Sequence, residues 1–326
     1  MLTRILAAAA LAAAACAVAA PPAAAADAVS LRFNWYLGGL HVPYYLGKEN
    51  GYFKAEGIDI TLNEGRGSAN TVQVVAAGSD TFGMADAGSL MLLASKGADV
   101  KAVMSLLNTS GFSVISLAET GIKTPKDLEG KKLAVTAGDA LTQLFPAFVK
   151  HNKLDMAKIS LVQVDPAGKV VSVLEKKADA LLGGIDDQYF LIEAKGAKPA
   201  GLRFADNGAN TVGMTILAKD ETIKAKPDMV RRFVKASIRS WEAAKKDPDA
   251  AVAAALKTKP DLNKESTKKQ LVMDISLLPS PATKGKPIGW GAASDWEATK
   301  KLLAEYRDLK TDKPATAFFT NDFVPK

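Results

Sequence analysis

The chain has 326 residues, with 42 lysines and arginines against 35 aspartates and glutamates, two histidines and one cysteine. Its positive excess is scattered among acids on helix faces, without the focused basic patch that nucleic-acid binding usually shows. The one cysteine is Cys16, so the chain beyond its first segment has neither disulfides nor cysteine-ligated metal sites, and His41 and His151 stand far apart in sequence.

Residues 1–26 carry a single cation, Arg4, then a run of alanine, leucine and valine, then Pro21 and Pro22 ahead of Ala24, Ala25 and Ala26. A basic start, an apolar middle and small residues at the end predict a secretory signal peptide cut after Ala26. The proline pair interrupts the apolar run short of the ~20 residues that a membrane span needs. Cys16 suggests lipidation only weakly, because Ala13 stands where leucine is preferred. The expected product is an exported, periplasmic monomer of about two domains by the usual length prior.

After the leader, residues 29–35 alternate apolar and polar side chains and predict a strand. A helix follows, with Pro43 in its first turn and Gly51 as its stop. Residues 58–62 read as a second strand. Ser68 caps a helix whose Val72, Val75 and Ala76 share a face and which Gly78 ends. Residues 81–85 make a third strand and 88–95 a helix closed by Gly97. This alternation predicts a parallel sheet with helices on both faces.

A second unit starts after the capped turn at Thr124, Pro125 and Asp127. It reads as strand 132–136, helix 139–152 with a kink at Pro146, strand 159–164, helix 167–177, strand 179–183 and helix 186–194. Residues 211–218 return to strand, and helices cover 229–246, 249–257, 264–278 and 292–309. The order suggests one lobe interrupted by another, with residues 27–115 plus 213–326 in lobe 1 and 116–212 in lobe 2. Crossings near 110–118 and 208–216 would form a hinge, since a few residues can absorb a closure.

The pattern Trp35-Tyr36-x4-His41-x2-Tyr44, followed by Gly51-Tyr-Phe-Lys-x2-Gly57-Ile-Asp-Ile60, resembles the nitrate/sulfonate/taurine-type solute-binding proteins. Within them it is similar to the branch that includes thiamine-pyrimidine-precursor binders. Gly65-x-Gly67-Ser68, Phe82-Gly-Met-Ala-Asp86, Lys176-x2-Asp179-Ala180, Gly184-x-Asp186-Asp187 and Phe318-Phe-Thr-Asn321-Asp-Phe323 extend the likeness over the chain beyond the leader. The resemblance implies an α/β, two-lobed type II periplasmic binding protein fold, each lobe a mainly parallel sheet flanked by helices. It also implies an ABC importer as partner. No cofactor or metal is expected.

Ligands in such sheets sit beyond the carboxyl ends of the strands, which singles out the residues that follow them. Trp35 and Tyr36 offer aromatic faces to a flat solute; buried in the sheet, Trp35 would be core instead. His41 and Tyr44 share the next helix face, where each could equally cap or pack. Gly67 and Ser68 open a helix and present backbone N–H groups, while Asp86 is either a ligand contact or a helix cap. On the second lobe the candidates are Gly138, Asp139 and Thr142 at a helix start, Asp186 and Asp187 after a strand, and Tyr189.

These side chains are aromatic and acidic, whereas nitrate, sulfonate or dicarboxylate recognition would more naturally use an arginine fork. The expected solute is therefore flat and nitrogen-bearing, such as a pyrimidine vitamin precursor, with a small oxyanion as the alternative. Arg66 lies within these motifs and Arg203 could still reach the cleft. A pyrimidine synthase resembles the same family but uses a cysteine-rich run and a lysine that holds pyridoxal phosphate; the cysteine run is missing here. A receptor's sensing domain would need a membrane-spanning or signalling segment that the sequence does not display.

Overall fold

The computed structural model describes residues 25–325. The expected leader and Cys16 lie outside the described residues, Ala25 and Ala26 apart. Among the described residues, ten strands form two five-stranded sheets: β1 (Asp27–Arg32), β2 (Ile58–Asn63), β3 (Phe82–Asp86), β4 (Val100–Ser105), β5 (Phe112–Leu117), β6 (Lys132–Val135), β7 (Ser160–Gln163), β8 (Ala180–Gly184), β9 (Pro199–Arg203) and β10 (Met214–Lys219). The sheet orders are β2-β1-β3-β10-β4 and β7-β6-β8-β5-β9. In each sheet the four remaining strands point one way and β10 or β5 runs against them.

The sheets are mainly parallel, as the resemblance implied, and the single reversed strand in each has a topological cause. Strands joined by a helix over their own sheet must be parallel. β5 and β10 instead arrive from the other sheet, so no such crossover fixes their direction. The two sheets otherwise share one topology, with the second strand outermost, the first beside it, and the third next to the reversed strand.

Three strands were not visible in the sequence pattern. β4 and β5 are buried along almost their whole length, so neither alternates. β9 opens on Pro199 and carries Gly201, both disfavoured in strands, and it lies at a sheet edge. At the other extreme, the helix Pro227–Lys246 buries Met229, Val230, Phe233, Val234, Ser237, Trp241 and Ala244 at helical spacing. Phe233 stacks on Phe82 of β3 with ring centres 3.8 Å apart. The helix Ala140–His151 continues on both sides of Pro146.

β1 ends at Arg32, three residues before its predicted end, and this frees residues 33–38 as a loop. The chain leaves the first sheet after Ser105 and returns to it at Met214. The two crossing segments lie side by side: the N–H groups of Leu106 and Leu107 donate to the Met214 carbonyl at 2.8 and 2.9 Å, and that of Gly213 to the Leu107 carbonyl at 2.8 Å. The Asn108 side chain ties the first crossing to the carbonyls of Leu278 and Trp290, at 3.0 and 3.1 Å.

The C-terminal tail protects β4. The Ala102 N–H donates to the Phe318 carbonyl and the Thr320 N–H to the Ala102 carbonyl, both at 2.9 Å, which covers an otherwise open edge. Trp296, fully buried, stacks on Phe319 at 4.7 Å and donates its indole N–H to the Ser105 hydroxyl at 3.0 Å. Trp296→Ala is expected to lower stability by about 3–5 kcal/mol. Urea unfolding checks this, and a loss below about 1 kcal/mol would show that the tail does not depend on the tryptophan.

Candidate functional site

A cleft opens at the carboxyl ends of the parallel strands, between the two sheets. It holds about 660 Å³ of atom-free space when the solvent in its open mouth is counted. One wall is the loop after β1, with Asn34, Trp35 and Tyr36, followed by the turn at Gly38 and Gly39 that ends on His41. Gly67 and Ser68, at the start of the helix Ser68–Ala76, complete that side. The facing wall is Asp139 and Lys169, then Asp186, Asp187 and Gln188 after β8, while Phe112 and Met214 supply apolar surface.

Trp35 and Tyr36 form a tilted aromatic pair, ring centres 5.3 Å apart at 42°. Trp35 is buried but lines the cleft, outside both apolar core clusters. Its indole N–H has no hydrogen-bond partner among the described residues. The Tyr36 hydroxyl accepts from the Gln188 amide across the cleft at 3.4 Å. Burial, and then the charge of Asp187, push the Tyr36 phenol well above its ordinary pKa.

His41 is buried and its pKa is pushed down to about 3, chiefly by desolvation. The ring is therefore neutral in any physiological buffer. Its Nδ1 accepts from the Gly38 N–H at 3.1 Å, which leaves the proton on Nε2 to donate to Asn34 Oδ1 at 3.0 Å. With that oxygen engaged, the Asn34 side chain keeps its NH₂ group as the donor it can offer the cleft. The histidine thus positions the asparagine.

On the facing wall Asp139 caps the helix Ala140–His151, accepting from the Thr142 N–H at 2.6 Å. Its second oxygen pairs with Lys169, whose side chain is only 1% exposed. Lys169 also donates to the Leu182 carbonyl at 2.7 Å, and its ammonium lies 5.3 Å from the Trp35 ring centre. Lys169 is the one lysine or arginine among the described residues that line the cleft.

Asp187 is pushed up to about 7 by burial and by the charge of Asp186, with Lys169 and Gln188 pulling the other way. Its oxygens accept from the amides of Gln188 and Gln270, the latter at 2.9 Å. Gln270 also accepts from the Gly39 N–H at 2.9 Å, so one side chain of the helix Lys264–Leu277 holds both walls. A Cβ at Gly39 would meet the Leu271 backbone nitrogen at 2.4 Å, which restricts that approach to glycine. Asp186 and Asp274 are likewise raised by burial, and the Asp274 carboxyl has no hydrogen-bond partner within geometry among the described residues.

Of the residues singled out from sequence, Trp35, Tyr36, His41, Gly67, Ser68, Asp139, Asp186 and Asp187 line the cleft. Five do not. Tyr44 is fully buried, with its hydroxyl directed at Trp241 and Ser237, because its helix face packs against Pro227–Lys246. Asp86 lies behind the cleft as a cap, accepting from the Ser89 N–H at 2.9 Å. Thr142 turns back to the Thr136 carbonyl at 3.0 Å, and Tyr189 packs on the smaller apolar cluster.

Gly138 is at the rim, where its carbonyl accepts from the Ala69 N–H at 3.4 Å. The two walls touch there: a Cβ at Gly67 (φ +122°) would sit 2.6 Å from the same oxygen. Arg66 is exposed and Arg203 pairs with Asp206 at 3.6 Å; neither lines the cleft.

Sequence reasoning missed Lys169 and Gln188. Both follow strands, after β7 and β8, and the rule that selected Asp187 would have selected them. A single lysine on a helix reads as solvated surface unless its carboxylate partner is known. No group of three or more His, Cys, Asp or Glu among the described residues is arranged to hold a metal ion.

The family model described as NMT1/THI5 like matches residues 39–251, well over half of the chain. A formylaminopyrimidine-binding protein of Halalkalibacterium halodurans is 23% identical over 278 residues, covering 83% of each chain. The riboflavin-binding protein RibY of Chloroflexus aurantiacus is 25% identical, covering 87% of this chain and 82% of its own. A 4-amino-5-hydroxymethyl-2-methylpyrimidine phosphate synthase of Saccharomyces cerevisiae is also 25% identical, over 75% of each chain. Among solved structures, the alkanesulfonate-binding protein SsuA of Xanthomonas axonopodis pv. citri superposes with a TM-score of 0.72 at 16% identity, covering 91% of this chain and 99% of its own. That likeness carries the fold, a periplasmic binding protein fold. With the match across residues 39–251, the chain belongs to the NMT1/THI5-like family.

Proposed function

We propose that this protein is the exported, periplasmic solute-binding component of an ABC importer. It closes two lobes, as a monomer, over one flat, nitrogen-bearing solute of the aminopyrimidine kind. The observation that carries the reading is the chemistry of the cleft. An aromatic pair, Trp35 and Tyr36, faces amides and carboxyls at Asn34, Gln188, Asp186 and Asp187, while the one lining cation is already neutralised by Asp139. Ring nitrogens and exocyclic amines match that mixture of donors and acceptors. Two relatives whose names specify a formylaminopyrimidine and riboflavin support a planar heterocycle.

Catalysis is not part of this reading. A synthase is among the relatives, but the cysteine run associated with that chemistry has no counterpart in a chain whose one cysteine is Cys16. Lys169 is engaged by Asp139 and the Leu182 carbonyl, unlike the unpaired amine that covalent capture of a carbonyl requires. No helix among the described residues is long and apolar enough to cross a membrane, so the reading assigns membrane passage to the partner importer.

Thermal-shift measurements against aminopyrimidines, flavins, sulfonates, nitrate and aromatic acids test the substrate class. A solute at ~100 times its dissociation constant stabilises its binder by about 2.7 kcal/mol, which is a clear rise in Tm. Aminopyrimidines are expected to give that rise; a rise with oxyanions alone would overturn the assignment. Trp35→Ala is expected to weaken binding by roughly tenfold or more while the free protein keeps its Tm. A collapse of the free protein would make Trp35 a folding residue.

The raised carboxyl at Asp187 sets a pH dependence. Its folded pKa of about 7 lies above the ordinary 3.8, so the fold favours the protonated form. The stability it contributes is full below about pH 4 and is lost as pH rises through about 7. Unfolding curves of the solute-free protein between about pH 4 and 8 are expected to show falling stability, and Asp187→Asn to flatten part of that slope. An unchanged slope in Asp187→Asn would remove Asp187 as its source.

A further inference from the structure

We infer that Asp139 acts as an internal counter-anion that excludes oxyanionic solutes, and that it is a specificity-determining residue of this cleft. This deepens the proposed reading by naming what sets the sign of the accepted solute. Lys169 is nearly inaccessible, lines the cleft, and places its ammonium 5.3 Å from the centre of the Trp35 ring. An ammonium has three donors. Two are engaged, by Asp139 and by the Leu182 carbonyl. Without Asp139 this would be a desolvated cation beside an aromatic ring, an environment that binds carboxylates and sulfonates strongly.

Asp139 occupies the position that such an anion would take. It pairs with Lys169 through one oxygen and with the Thr142 N–H at the start of a twelve-residue helix through the other. A solute carboxylate could make the same two contacts, but only by displacing a carboxylate that the chain supplies covalently and at no cost in translational freedom. It would also meet Asp186 and Asp187 on the same wall. A neutral or amine-bearing heterocycle displaces nothing. The discrimination therefore comes from an element that repels the wrong solute as well as from contacts to the right one.

Asp139→Asn is the direct test, because asparagine keeps the helix cap while removing the charge. The probes are methanesulfonate and benzoate, measured by calorimetry and thermal shift, with potassium chloride at equal ionic strength as control. The variant is expected to have a lower Tm in buffer and to bind the probes roughly ten- to a hundredfold more tightly than the unaltered protein. Equal probe binding by the two proteins would overturn the inference.

Should the variant not fold in buffer, refolding with methanesulfonate is expected to recover it; failure to recover would count equally against the idea. The double variant Asp139→Asn/Lys169→Met is expected to fold and ignore the probes, and a retained anion gain there would assign the effect to another cation. Aminopyrimidine binding by the unaltered protein is scored separately. Its absence, alongside an anion gain in Asp139→Asn, would sink the substrate reading and leave this inference standing.

Discussion

β5 and β10 each enter a sheet from the opposite side of the molecule, and the direction that this imposes organises everything around the cleft. A reversed strand begins where its neighbours end. Phe112, the first residue of β5, pairs with Gly184 at the end of β8, and Met214, the first of β10, pairs with Asp86 at the end of β3. Both starting residues therefore lie at the carboxyl ends of the parallel strands, where the cleft is. The segments that cross between the sheets lead directly into these two residues. A solute resting on Phe112 and Met214 would therefore touch the residues that directly follow the two crossings.

The same placement makes the cleft a poorly solvated site, and its titratable groups carry the consequences. Removing a charge from water costs several kcal/mol unless it is paired. Each group meets that constraint differently. His41 is driven neutral and spends its ring on orienting Asn34. Asp187 and Asp274 are pushed towards their protonated forms, with Asp186 moved in the same direction. Lys169 and Asp139 pair and stay in contact. The outcome is a pocket with many hydrogen-bonding atoms and little net charge to offer a solute.

The fold was legible in the sequence wherever one face of an element met water. β1, β2 and the long helix Pro227–Lys246 announced themselves through periodicity, and Gly51 and Gly78 marked real stops. β4 and β5 did not, because burial on both sides erases alternation, and the reversal of β5 and β10 depends on where the chain has been rather than on local pattern. The site was legible to the extent that strand ends predict it. Trp35, Asp139 and Asp187 were found that way. Tyr44 and Asp86 were misplaced because motif membership does not distinguish a side chain facing the cleft from one a turn away facing the core. The pairing of Lys169 with Asp139 spans 30 positions and cannot be read from spacing at all.

Polar contacts tie the two sides of the cleft together. They include the Gln270 bridge between Gly39 and Asp187, the Gln188 amide to Tyr36, the Lys269–Glu193 ion pair at 2.7 Å and the Ala69 N–H to Gly138. The ion pair is half exposed on its lysine side, which puts it among pairs worth about 0–1 kcal/mol. The hydrogen bonds at 3.4 Å are long, and their net worth over bonds to water is at most about 1 kcal/mol each. On the proposed reading, a solute that adds an aromatic stack and hydrogen bonds only when the walls are together supplies the differential that moves the population.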